Sequence, residues 1–499
     1  MSASQLPHPP RPSQTKIVAT LGPASSEPGQ IAELIAAGVD VFRLNMAHGN
    51  RDEHGVRLAA IRQASDELGQ PVAVLTDLAG PKIRLGELPG GELTCDSGAA
   101  IRFVRTSPLP PHAPVEGRDG GEPKAERPTE LTTTYEPLID ELAVGDRVML
   151  ADGTVALTVE EVGKDYARCT VVQPGLIRSR QGVNLPGVKL SAPALGAADL
   201  DNAVWAAQSG VDFVGLSFVR TPEEIRRLKS LLRSHGSEAQ VIAKIEKPEA
   251  LDRLGEIVEA TDGVMVARGD LGVEIDIARV AVVQKEIIAA CNRCRKPVII
   301  ATQMLDSMQH SRIPTRAEVT DVANAILDGA DACMLSGETA IGEYPRQAVE
   351  MMHRIALATE PLCRRRPPLP EPDLDAAGVN QITEATVYAA GRIAEKLDAR
   401  LVVVASASGA TALSLAKNRN YVPTVGVSDS PSTLRRMCLY WGVIPLSGAP
   451  TGDSEVLLDY ITTWGRNAGL LESGDRIVLI AGTGLAVTAH NMVVVHELA

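Results

Sequence analysis

Short apolar runs alternate with amphipathic stretches along most of the chain. The runs are KIVAT (16–20), VDVFRL (39–44), PVAVLTD (71–77), DFVGLSF (212–218), VIAKIE (241–246), GVMVA (263–267), PVIIAT (297–302) and DACMLS (331–336). Most are followed by a helix-like segment, such as PEEIRRLKSLLRS (222–234) or RAEVTDVANAIL (316–327). A short run followed by a helix, eight times over, predicts a closed parallel barrel of the (βα)8 TIM type.

Residues 86–185 interrupt the series after the third run. DRVMLADGTVALTVEEV (146–162) alternates with the period of a strand and holds Gly-Asp and Asp-Gly turns. This predicts a small β-barrel lid domain inserted in the third βα loop, above the C-terminal face of the barrel. After it the barrel resumes. The end of the chain returns to alternation with LVVVAS (401–406), PTVGV (423–427), RIVLIAG (476–482) and MVVVHEL (492–498), an open α/β sheet. Residues 106–128 and 361–379 are rich in Pro and charge. The first reads as a loop within the strand-rich region, the second as a linker. The expected division is a flexible tail over 1–13 and a barrel over 14–85 and 186–360. The lid covers 86–185, the linker 361–379 and a regulatory α/β domain 380–499.

Composition narrows the function. A net charge of −13 argues against a nucleic-acid coat, which needs a basic face. Aromatics make up 3% of the residues, so the core rests on Ala, Val, Ile and Leu, and base-stacking platforms are not expected. The cysteines, at 95, 169, 291, 294, 333, 363 and 438, are odd in number and dispersed, which is no disulfide framework. Cys291 and Cys294 form a lone CxxC in a helical stretch and read as buried helix cysteines. The N-terminus has no apolar signal core, and no run reaches the ~18 apolar residues of a membrane span. The expectation is a cytoplasmic protein without nucleic-acid or membrane partners.

In such a barrel the reactive side chains stand at the C-terminal ends of strands. Those positions hold Arg43, Asn45 and His48; Asp77, Lys82 and Arg84; Ser217; Lys244 and Glu246; Arg268 and Asp270; Thr302; and Ser336 and Glu338. Lys244 and Glu246, two apart on a strand, face the same way. They form an internal ion pair or hold a ligand, because isolated buried charges are costly. Glu246 and Asp270 end adjacent strands and would repel each other unless a divalent cation lay between them. Two hard oxygen ligands suit Mg²⁺ or Mn²⁺ with water and substrate phosphate. Gly269 lets the backbone approach an anion closely. With Arg43, Lys82 and Arg84 the set suits an anionic, phosphorylated substrate. Stabilising an enolate and transferring a phosphoryl group both fit it.

At this point longer motifs stand out: TLGPAS (20–25), RLNMAHG (43–49), GPKIRLG (80–86), GVNLPG (182–187), AKIEKPEAL (243–251), GVMVARGDLGVEI (263–275), KPVIIATQML (296–305), PTRAEVTDVANAILDGADACMLSGETAIGEYP (314–345) and GTGLAVTAHNMVVVH (482–496). Together, and in this order, they resemble the pyruvate kinase family over nearly the whole chain. The resemblance implies transfer of a phosphoryl group from phosphoenolpyruvate to ADP, giving pyruvate and ATP in glycolysis. It also implies a barrel, a lid and a C-terminal domain, in a homotetramer. By motif match, Lys244 is expected to stabilise the enolate and the transferring group, and Arg43 to meet the phosphate. Glu246 and Asp270 are the expected ligands of Mg²⁺ or Mn²⁺. Gly269, Asp270 and Thr302 are expected at the substrate carboxylate or on the proton-delivery side. Asn45, His48 and Arg84 are expected near the nucleotide phosphates.

Two departures from the family pattern concern a monovalent ion. Many members hold K⁺ through Asn, Ser, Asp and a Thr carbonyl, and carry Glu in the motif that here reads GPKIR. This chain keeps Asn45 and Asp77 but has Ala47, Leu78 and Lys82. A lysine beside K⁺ would repel it by about 4 kcal/mol at 4 Å and an effective dielectric of ~20. Lys82 is therefore expected to replace the ion, and K⁺ not to be required. In the C-terminal domain SASGAT (406–411) lies between a strand and a helix. Ser406, Ser408, Gly409 and Thr411 there form either a phosphate nest or a plain helix cap. The resemblance implies a phosphorylated allosteric effector at this place, with GTGLAVT (482–488) facing it. A lyase or aldolase on a related barrel would share the strand-end charges but not need the inserted domain. A sensor with a decayed barrel would have lost Lys244, Glu246 or Asp270.

Overall fold

The computed structural model describes residues 13–105, 129–365, 380–481 and 492–499. The tail, the 106–128 segment, most of the 361–379 stretch and the 482–488 loop lie outside the described residues. The chain divides into two compact units. The first holds Met1–Gly80, Ala194–Arg268 and Ala281–Ala499; the second holds Pro81–Pro193 and Gly269–Val280.

The first unit contains a closed parallel barrel of strands Lys16–Thr20, Val41–Asn45, Ala73–Asp77, Phe213–Leu216, Gln240–Ile245, Gly263–Ala267, Val298–Ala301 and Ala332–Leu335. They follow one another around the ring in chain order, and the last closes on the first in the register Lys16↔Ala332. Each of the eight apolar runs is one of these strands. Helices cover the outer face and side chains fill the inside, so both faces are buried and the runs are continuously apolar. Val41, Leu75, Phe213, Ile242, Met265 and Ile299 pack into that interior. The covering helices start and stop where their termini dictate. Pro222–Ser234 opens on a capping box, in which the Glu224 carboxylate accepts the Thr221 N–H at 3.1 Å. It buries Ile225, Leu228 and Leu232.

One residue before every second strand stands an aspartate: Asp40, Asp212, Asp262 and Asp331. Each accepts the backbone N–H of the strand before its own, from Ile17, Val74, Val241 and Val298 in turn, at 2.8 Å each time. Each is also paired with a cation: Lys16 at 3.2 Å, Arg62 at 2.9 Å, Lys229 at 2.7 Å and Lys417 at 2.5 Å. The barrel's N-terminal rim is thus stapled four times by one device, which suits a face built for stability.

The C-terminal sheet runs in the order Val443–Pro445, Thr424–Val427, Leu401–Ala405, Arg476–Ala481, Met492–Glu497, with the last strand antiparallel. Four of these strands match the apolar runs. Val443–Pro445 does not, because it is three residues long, at the sheet edge, and ends in proline. This domain meets the barrel through Arg435, 2.7 Å from Asp212, and Lys417 on Asp331. Lys16 Nζ also donates to the Val443 carbonyl at 2.8 Å.

The second unit is mainly β. Among the described residues, the expected small β barrel is a six-stranded sheet and a two-stranded ladder. They share a core that includes Ile83, Phe103, Val148, Leu157, Val171 and Ile177. Arg147–Leu150 and Val155–Val162 form a hairpin across the Asp-Gly turn, where Ala151, Asp152 and Gly153 all have positive φ. Cys291 and Cys294 are buried, and burial pushes the Cys291 thiol up to about 12.

Candidate active site

Strand ends in the first unit converge on one ionic cluster. Register pairs Arg43 with Leu75, so its guanidinium reaches two residues further to Asp77 at the end of the neighbouring strand. Arg43 Nε and Nη2 both donate to Asp77 Oδ2, at 2.8 and 2.5 Å. Arg43 Nη1 donates to the hydroxyl of Thr20, the last residue of the first strand, at 3.2 Å. Lys244 Nζ lies 3.2 Å from Asp77 Oδ2 and 3.0 Å from Glu246 Oε1. It donates to Ser217 Oγ at 2.7 Å, and that hydroxyl donates in turn to the Leu78 carbonyl at 2.7 Å. Glu246 Oε2 accepts the Phe218 N–H at 2.8 Å.

The Lys244–Asp77 pair spans the strand between their own. Gly215 stands there, opposite Asp77 in the register. A Cβ on Gly215 would lie 2.8 Å from Asp77 Oδ1, so the missing side chain makes the room.

The charges are two cations and two anions, all nearly removed from water. Asp77 and Glu246 are 1% exposed, and Lys244 10%. Such charges persist only when paired. Burial alone would raise the Asp77 carboxyl, but Lys244 and Arg43 outweigh it and hold the carboxyl below its ordinary value. Burial alone would lower the Lys244 ammonium, but Asp77 and Glu246 outweigh it and hold it above its ordinary value. The site therefore keeps a fixed ammonium and a fixed guanidinium at neutral pH. Placed positive charge of this kind meets anions without reorganising.

In the second unit Lys82 Nζ lies 2.9 Å from Asp270 Oδ1. Arg84 Nη1 donates to the Arg180 carbonyl at 3.3 Å. Gly269 and Asp270 lie in the first turn of the helix Arg268–Glu274. Among the described residues no group of three or more His, Cys, Asp or Glu side chains forms a metal cluster. Glu246 in the first unit faces the Lys244 ammonium at 3.0 Å, and Asp270 in the second faces that of Lys82 at 2.9 Å. Carboxylate oxygens are hard donors of the kind Mg²⁺ or Mn²⁺ takes.

Asn45 Oδ1 accepts the Ala47 N–H at 3.2 Å, and the His48 carbonyl accepts from His54 Nε2 at 2.9 Å. Thr302 donates its hydroxyl to the Ala301 carbonyl at 2.6 Å. In the C-terminal domain Ser406 Oγ accepts the Gly409 N–H at 3.0 Å, and Ser408 Oγ accepts the Ala410 N–H at 3.4 Å. Thr411 is buried. Gly409, the residue before the helix Ala410–Lys417, has φ +85°.

The family model for the pyruvate kinase barrel domain matches residues 12–349, and that for the pyruvate kinase alpha/beta domain matches 384–496. The chain belongs to the pyruvate kinase family. It is 39% identical to the pyruvate kinase of Geobacillus stearothermophilus over 487 residues, 97% of this chain and 80% of that one. It is 40% identical to the pyruvate kinase of Mycobacterium tuberculosis (strain CDC 1551 / Oshkosh) over 484 residues, 97% and 98% of the two chains. The pyruvate kinase of Mycobacterium intracellulare is likewise 40% identical over 488 residues. As a member of this pyruvate kinase family the chain is a phosphotransferase.

The sequence reading noted Asp77 only as a strand end and a retained position of the family's K⁺ set, yet it joins Arg43 to Lys244. Thr20 was missed altogether. Its signal was available: it closes the first apolar run at the level where the other runs end.

Proposed function

We propose that this chain transfers the phosphoryl group of phosphoenolpyruvate to ADP, giving pyruvate and ATP as a step of glycolysis. Family membership supports the reaction. The observation that carries the chemistry is the buried Arg43–Asp77–Lys244–Glu246 cluster. Arg43 holds the phosphate of the substrate. Lys244 stands against the enol oxygen, where negative charge grows as the phosphoryl group leaves, and keeps that charge tolerable in a site shielded from water. Asp77 is shared by Lys244 and Arg43 and sets their direction. Glu246 and Asp270 are the side chains that would hold Mg²⁺ or Mn²⁺. Such an ion, when bound, supplies concentrated positive charge to the phosphoryl and enolate oxygens. Gly269, Asp270 and Thr302 face the carboxylate and proton-delivery side, and Asn45, His48 and Arg84 the nucleotide phosphates.

Lys82 takes the place of a monovalent cation. Its ammonium stands at Asp270, Ala47 offers no hydroxyl, and Leu78 is buried. A coupled assay with phosphoenolpyruvate, ADP and Mg²⁺, read as ATP, tests both statements. With K⁺ replaced by tetramethylammonium, turnover is expected to stay within about twofold, since the fixed charge is already in place. ATP formation that collapses without K⁺ and returns with it contradicts the Lys82 assignment. No ATP under either condition contradicts the reaction.

The Ser406–Thr411 loop supports a phosphorylated allosteric effector, because a helix N-terminus with flanking hydroxyls suits a phosphate. A panel of sugar phosphates and nucleoside monophosphates should include one that shifts the KM for phosphoenolpyruvate. A homotetramer in the cytoplasm completes the reading. Light scattering on the purified chain tests the tetramer, and a monomer mass at assay concentration would contradict it. Fractionation of expressing cells tests the location. Among the described residues no helix is long and apolar enough to cross a membrane.

A further inference from the structure

The loop after the seventh barrel strand begins with two consecutive non-glycine residues in left-handed backbone, Thr302 at φ +70° and Gln303 at φ +53°. For β-branched threonine this is a strained conformation, which persists only when its surroundings over-determine it. Arg268 holds Thr302 itself, and Glu338 holds the chain at Leu305 beyond the turn. Arg268 Nη2 donates to the Thr302 carbonyl at 2.8 Å, and Arg268 Nη1 donates to Asp321 Oδ1 at 2.7 Å and to Gln284 Oε1 at 3.3 Å. Beyond the turn, Glu338 Oε1 accepts the Leu305 N–H at 3.0 Å while its Oε2 accepts the Ser336 N–H at 2.7 Å. Glu338 is 1% exposed, so this carboxylate joins the ends of two neighbouring barrel loops from within the protein. Further along, the Glu318 carboxylate accepts the Ser307 N–H at 2.7 Å.

We propose that Arg268, seated by Asp321, is a positioning residue that holds Thr302 in this left-handed turn and thereby places its side chain for proton delivery. The proposal rests on the reading of Thr302 given above. Without the Arg268 fork the Thr302 carbonyl loses its anchor, and the residue relaxes toward a commoner backbone region. Its Cβ and hydroxyl then point elsewhere. A lysine at 268 keeps the charge, but its donors all sit on one nitrogen and cannot reproduce the planar fork that reaches Asp321 and the Thr302 carbonyl together. Neither Arg268 nor Glu338 touches the reacting atoms in this scheme.

The test separates proton delivery from substrate binding. Pyruvate in D2O with the Mg²⁺-loaded protein and ATP exchanges its methyl protons: a C–H bond breaks to give the enolate, and a solvent-derived deuteron returns to the same carbon. NMR reads the rate. Thr302→Ala is expected to lower exchange, and Arg268→Lys to lower it by about tenfold while the KM for phosphoenolpyruvate changes less than about threefold. The Arg268→Lys/Thr302→Ala double variant should lose no more than the worse single variant, because both remove one function. Losses that multiply in the double variant, or an Arg268→Lys protein with parental exchange, overturn the positioning role and leave Thr302 in place. Parental exchange in Thr302→Ala overturns the Thr302 reading and the proposal with it. Should Arg268→Lys not fold, Asp321→Asn is measured instead; it keeps the shape of the seat without its charge. A smaller loss of exchange, again not additive with Thr302→Ala, is expected, and parental exchange overturns the proposal.

Discussion

Asp77 decides how the cluster at the barrel mouth behaves with pH. Its folded-state affinity for protons lies below that of the free carboxyl because of Lys244 and Arg43. A depressed carboxyl contributes stability above its ordinary value of 3.8 and loses it as pH falls through the folded value. Lys244, shifted up, contributes below its ordinary 10.5 and loses that only as pH rises through its folded value. Between those limits the cluster stays charged and paired. Asp77→Asn leaves two buried cations facing each other, and breaking such a pair costs about 3–5 kcal/mol. Chemical denaturation at pH 7 should show that loss, and the variant should lose less of its remaining stability than the parent as the pH is taken below 4. Sequence reasoning saw Lys244 and Glu246 as a pair because residues two apart on a strand share a face. It did not see the Arg43–Asp77 bond, since the register of neighbouring strands is not written in one chain.

At the level of elements, the barrel was readable because parallel strands buried on both faces leave uninterrupted apolar runs. Phe213–Leu216 shows what that reading leaves out. Gly215 looks like any small residue in a run, yet it separates the strands that carry Asp77 and Lys244. Gly215→Ala is expected to cost about 1–3 kcal/mol by overpacking. It should also push Asp77 from its place and lower kcat by more than the stability loss explains. Parental kcat in a folded Gly215→Ala protein would show that the gap is not needed. The edge strand Val443–Pro445 escaped for the opposite reason, having too few residues and a terminal proline. The hairpin at Asp152-Gly153 was found because its turn chemistry is local.

For the whole molecule, two of the four rim aspartates, Asp212 through Arg435 and Asp331 through Lys417, tie barrel and C-terminal sheet together. Lys417 is fully buried against Asp331 and Asn292. Burial pushes its ammonium down to about 8, with Asp331 opposing. It remains charged at pH 7. Because the unfolded chain holds its proton more firmly, stability should rise with pH between about 8 and 10.5 from this group. Lys417→Met removes one of two cations on Asp331, Arg419 at 3.0 Å being the other, and should cost no more than about 3 kcal/mol, seen as one lowered transition for barrel and sheet together. Removing the exposed Arg476–Glu497 pair should change little, as surface pairs do. A Lys417→Met protein as stable as the parent would mean that the docking does not need the Lys417–Asp331 pair. None of this was legible from the chain: Asp331 and Lys417 are 86 residues apart, and a buried lysine carries no mark in a single sequence.

In the proposed reaction, Lys244 is the fixed charge against the enolate oxygen. The direct measurement is ATP formation from phosphoenolpyruvate and ADP by Lys244→Met, with phosphoenolpyruvate binding followed separately by calorimetry. Loss of kcat by about 10³-fold or more is expected, in the range of removing a preorganised electrostatic group, with binding weakened far less. A folded Lys244→Met protein that forms ATP within tenfold of the parent would contradict the account.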